Sequence, residues 1–78
     1  MTPASAVDTA ARIAAAFRTL PDEAAAAAIA HHINQFWAAP MRRAFLAAAP
    51  ETLDARLLAA QAQVRPPRDV GAVRTDRA

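Results

Sequence analysis

Apolar side chains recur along this chain at helical spacing. Ala6, Ala10, Ile13, Phe17 and Leu20 lie three or four residues apart, on one face of a helix wound at about 100° per residue. Asp8, Arg12 and Arg18 point away from that face. Ser5, followed by Asp8, has the form of a capping box and predicts the first helix start. In "LPDE", Pro21 suits a first helical position, and Asp22 and Glu23 complement the positive end of a second helix. That helix is predicted to run to about Ala38, with Ala26, Ile29, Ala30, Ile33, Phe36 and Trp37 as its apolar stripe. Pro40 marks the next break. A short third helix is predicted over 41–49, pairing Met41 with Phe45, and Pro50 stops it. A fourth, over 52–64, aligns Leu53, Leu57, Ala60 and Val64 and leaves Leu58 off the face. Pro67 excludes helix at Pro66.

No stretch alternates with the period of a strand. The expected architecture is therefore all-α: a small bundle of about four short helices joined by Pro-containing turns, one domain over 1–64, then a flexible, irregular Arg/Pro-containing tail over 65–78. Composition agrees, since 25 of the 78 residues are alanine, the best helix former, and there is one glycine. Alanine also explains how 55% hydrophobic residues give a mean hydropathy of only +0.08. The larger apolar residues are few, so the isolated chain is expected to be marginally stable and to complete itself against another protein through Trp37, Leu46 or Leu58.

Charge changes the picture by its location. Residues 1–64 carry five arginines and five carboxylates; the +2 comes from four arginines and two aspartates in the tail. A nucleic-acid binder is expected to carry a positive face on its folded body, and this body is neutral. No run approaches the roughly 18 apolar residues of a membrane-crossing helix. The N-terminus has neither the basic nor the apolar region of a secretory signal. A cytoplasmic protein with no membrane contact is the expectation.

The distinctive chemistry is concentrated in "HHINQFWAAPMRRAFL", residues 31–46. His31 and His32 are adjacent, about 100° apart on a helix, so they cannot chelate one metal as an i,i+4 pair can. His31 reads as solvated, and His32 as a boundary residue hydrogen-bonding a neighbour or a partner. Phe36 closes a small core at a helix end or faces a partner. Trp37 fits either setting, being large, carrying an N–H and belonging to the type most enriched at binding hot spots. Arg42 and Arg43, at the start of the third helix, oppose its dipole. They read as solvated charge, as ion-pair donors to an acidic partner or as phosphate contacts. There is no cysteine, no nucleophile beside a base and no Gly-rich phosphate loop, so the chain is not expected to be an enzyme or to bind a cofactor by itself.

Residues 9–47 resemble the delta subunit of soluble NAD-dependent molybdenum-containing formate dehydrogenases. The shared features are an "A-x-x-I-x-x-F" opening helix, an alanine-rich second helix, then "H-I-x-x-F-W", a proline, "M-R" and a short apolar helix. Here they fall on Ile13, Phe17, His32, Ile33, Phe36, Trp37, Met41, Arg42 and Leu46. The proline stands three residues after the tryptophan, where the family usually places it two after. The resemblance implies a non-catalytic accessory subunit that docks on the molybdenum-bearing alpha subunit and supports assembly, stability or cofactor maturation. It implies that the alpha, beta and gamma subunits carry molybdenum pterin, iron–sulfur clusters, FMN and the NAD site. His32, Phe36, Trp37, Met41, Arg42 and Arg43 are the expected partner interface, with Trp37 as its anchor. The competing expectation is a small helical nucleic-acid-binding module using Arg42 and Arg43.

Overall fold

A computed structural model describes residues 2–67. It contains helices α1 (Pro3–Ala16), α2 (Asp22–Phe36), α3 (Ala39–Leu46) and α4 (Ala55–Gln63), with a 3₁₀ turn at Pro50–Thr52 between the last two. No strand occurs among the described residues, so the fold is all-α as the periodicity predicts. Most of the expected tail, residues 68–78, lies outside the described residues.

The helix ends differ from expectation, and local chemistry explains each difference. α1 begins before Ser5. Pro3 takes a first-turn position, where its fixed φ suits the helix and its missing N–H costs nothing. Thr2 is the N-cap: its Oγ1 accepts the Ser5 N–H at 3.1 Å, so Ser5 is the capped residue and the Ser5–Asp8 box does not form. α1 stops at Ala16, which leaves Leu20 outside the helix and exposed rather than on the apolar face. Leu20 precedes a proline, which disfavours helical backbone there. Pro21 is the N-cap of α2 and not its first residue. Conversely, Pro40 lies within the first turn of α3 instead of before it. Thr52 belongs to the 3₁₀ turn, and Asp54 caps α4 by accepting the Leu57 N–H at 2.9 Å.

α2 makes its most extensive contact with α4, and the two run in the same direction, start beside start and end beside end. At their starts, Arg56 Nε donates to Asp22 Oδ1 at 2.9 Å, and Arg56 Nη2 reaches the Arg18 carbonyl at 3.4 Å. At their ends, Asn34 Nδ2 donates to the Gln63 carbonyl at 3.2 Å while Asn34 Oδ1 accepts the Arg65 N–H at 2.8 Å. Residues 37–54 are therefore a crossover that returns the chain to the start of α2, and α3 is its rigid part. α1 packs on α2 and α3 through Ala6, Ala10 and Ala14.

Ile29, Ile33, Trp37, Phe45, Leu57 and Val64 are the larger buried residues; the other nine buried apolar residues are alanine. Such a core has little side-chain volume and depends on close approach of helix backbones. Val7, Ile13, Phe17, Met41, Leu46 and Leu53 pack half-buried around it. Ala10→Leu should overpack the α1 interface and lower stability by about 1–3 kcal/mol. Ala11→Leu, on the exposed side of the same helix, should stay within about 0.5 kcal/mol. Urea denaturation followed by circular dichroism distinguishes the two.

Candidate interaction surface

The "HHINQFW" segment occupies the second half of α2 and its C-cap. Helical backbone ends at Phe36, and Trp37 is extended, with φ −89° and ψ 137°. This break separates the two aromatics. Trp37 turns inward, is 8% exposed, and meets Phe45 edge-on with ring centroids 6.1 Å apart. Phe36 stays on the outside at 73% exposure. Core closure is therefore performed by Trp37 and not by Phe36, and Trp37 is not available as a surface anchor. Its i+4 spacing from Ile33 already places Trp37 on the buried stripe, and Phe45 of α3 covers it there.

Phe36 is not isolated. One turn earlier on the same face, the half-buried His32 ring lies 4.9 Å from the Phe36 ring, tilted by 43°. The two form an aromatic pair at the end of α2, with Phe36 exposed and His32 half-buried. His31 is exposed, as its position opposite the stripe predicts.

The two arginines diverge. Because α3 starts at Ala39, they lie in its middle and last turns, where positive charge agrees with the helix dipole at Arg43. The half-buried Arg42 directs Nη1 to the Arg65 carbonyl at 3.4 Å, and its buried Nε has no hydrogen-bond partner. Arg43 is exposed. They do not form one joint basic element at a helix N-terminus. Met41 is half-buried against the core.

Beside Arg43 lies an open groove of about 800 Å³. Pro3 of α1, Pro40 and Leu46 of α3, and Pro66 and Pro67 after α4 line it with Arg43. The segment carrying Pro66 and Pro67 is held in place by the Asn34 and Arg42 contacts to Arg65. Sequence reasoning did not find this groove, because its walls come from three separate elements. It also missed Gln61, whose Nε2 donates to the Phe45 and Ala48 carbonyls at 3.0 and 3.2 Å and closes the C-terminal end of α3. The signal was available: a glutamine on the Leu57–Val64 apolar stripe needs a polar partner.

Among the described residues, no group of three or more His, Asp or Glu could hold a metal ion. With no cysteine in the chain, there is no thiolate to ligate an iron–sulfur cluster. No described helix is long and apolar enough to cross a membrane. What the surface offers is contact: an aromatic pair with Phe36 exposed, and an apolar groove bearing one cation. Trp37→Ala should lower stability by about 3–5 kcal/mol, enough to abolish the helical signal of so small a domain. Phe36→Ala should change it by less than about 0.5 kcal/mol. Thermal melts by circular dichroism check both.

No curated protein and no solved structure matches the chain. Residues 7–63, from the second turn of α1 to the last residue of α4, match the family of the NADH-dependent formate dehydrogenase delta subunit, FdsD; the match covers more than two-thirds of the sequence, and the chain belongs to that family.

Proposed function

We propose that this chain is a non-catalytic accessory subunit of a cytoplasmic NAD-dependent formate dehydrogenase. It docks on the molybdenum-bearing alpha subunit and supports that subunit's assembly, stability or cofactor maturation. In this reading molybdenum pterin, iron–sulfur clusters, FMN and the NAD site belong to the alpha, beta and gamma subunits, and the delta chain contributes contacts only. Family membership supplies the context.

The observation that carries the docking role is Phe36. A phenylalanine 73% exposed on an alanine-rich helix is unfavourable in water and favourable in a partner's pocket. The His32 ring limits its rotation, so little conformational freedom is lost when it is covered. His32 supplies a polar edge at the rim of this patch. Met41 and Trp37 act from beneath, by fixing the end of α2 and the start of α3. Arg42 orders the Arg65–Pro67 segment.

The test is capture of the alpha subunit by tagged variants. Phe36→Asp should weaken capture by about 30-fold or more, the size of a hot-spot loss, with an unchanged helical spectrum. Normal capture by that variant would remove Phe36 from the interface.

A further inference from the structure

We infer that the groove between α1, α3 and the Arg65–Pro67 segment seats an apolar stretch of the catalytic subunit that carries a carboxylate, and that this carboxylate pairs with Arg43. The inference rests on the accessory-subunit reading and adds a second contact, built from different residues from the Phe36 patch.

The occupant's chemistry follows from the walls. Pro3, Pro40, Pro66 and Pro67 present rigid apolar rings and no backbone N–H. A guest is therefore held there by apolar contact and charge, not by strand-like pairing. Among the described residues, Arg43 is the one charged side chain lining the groove. It has no carboxylate partner among the described residues. The positive ends of α1 and α3 open on the same region, at Pro3 and Pro40, and neither first turn contains an acidic residue. Arg65 stands immediately before Pro66. Among the described residues the groove lining carries a positive side chain and no carboxylate, so its complement is negative.

The same argument disfavours the nearer alternatives. A second copy docked symmetrically through this groove would put two copies of Arg43 into one interface with no carboxylate among the described lining residues to offset them. Residues 68–78 contain three arginines and two aspartates, a net charge of the wrong sign.

The experiment uses the full chain co-expressed with its partner subunits. Photoreactive p-benzoylphenylalanine is placed at Ala47, an exposed residue on the groove wall, or at Phe36. Crosslinks from position 47 to a catalytic-subunit peptide with Asp or Glu among apolar residues would support the inference. Crosslinks from 47 to the chain itself, to a second copy, or to nothing, while position 36 still reaches the alpha subunit, would overturn it and leave the docking role standing. Loss of crosslinks at both positions, with no co-purification of the parent chain, would bring down both. In parallel, Arg43→Glu should weaken capture about tenfold or more, with Arg43→Lys near the parent and all helical spectra alike. Equal capture by Arg43→Glu would overturn the carboxylate pairing.

Discussion

The structure depends on α4 lying beside α2 and running the same way. Two adjacent helices with a short connection are normally antiparallel. A parallel pair needs a crossover long enough to travel back along a helix of 15 residues, about 22 Å. Residues 37–54 are that crossover, and its features follow from the task. The chain leaves α2 abruptly at Trp37, turns into α3 at Pro40, closes α3 with a 3₁₀ turn and restarts at the Asp54 cap. The polar contacts mark the two ends of the parallel pair: Arg56 with Asp22 at one, Asn34 with Gln63 and Arg65 at the other. The Arg56–Asp22 pair is exposed at the aspartate and adds little stability by itself. It fixes register.

Helix identity was legible in the sequence because each helix has a periodic face. Ala6, Ala10, Ile29, Ile33, Phe45, Leu57, Ala60 and Val64 are buried where the spacing put them, and Leu58 is exposed where it did not. Direction was not legible. A pattern of apolar positions says which face is covered, not which neighbour covers it, and short Pro-containing turns suit antiparallel and crossover connections alike. The helix ends were blurred for a related reason. Proline serves as N1 residue, N-cap or stop depending on the φ and ψ of its neighbours, and this chain uses it as an N-cap at Pro21 and within first turns at Pro3 and Pro40.

The exchange of roles between Phe36 and Trp37 shows how such a blur reaches a candidate site. On a continuous helix, Phe36 follows Ile29 and Ile33 at i+7 and i+3 and belongs to the core stripe. Phe36 keeps that helical position but is the last residue of α2 and is exposed, while Trp37, the next residue on the same stripe, is covered by Phe45. Of the six expected interface residues, the structure brings His32 and Phe36 together on the surface, turns Trp37 inward, half-buries Met41, and separates Arg42 from Arg43. The segment concentrates its chemistry because it does two jobs at one chain reversal, closing the core and presenting an aromatic surface.

Alanine links the core to the surface. Small side chains let α1, α2 and α4 approach closely, but they leave few large groups to lock the helices together. The ends are held instead by side chains that reach backbone carbonyls, namely Gln61 at the end of α3, Asn34 at the end of α4 and Arg18 at the end of α1. The Phe45 and Ala15 carbonyls also accept the Ala48 and Arg18 N–H groups, so Gln61 and Arg18 reinforce helix ends that backbone bonds already close. A bundle stitched at its ends can send the inner face of its crossover, Trp37 and Phe45, into the core and leave the outer face, with Arg43, exposed. The surface features argued above are therefore on or beside that crossover: Phe36 at its entry and Arg43 on its rigid helix. Phe36 and Arg43 are exposed side chains outside the buried α2–α4 contact, so covering them would leave that contact undisturbed.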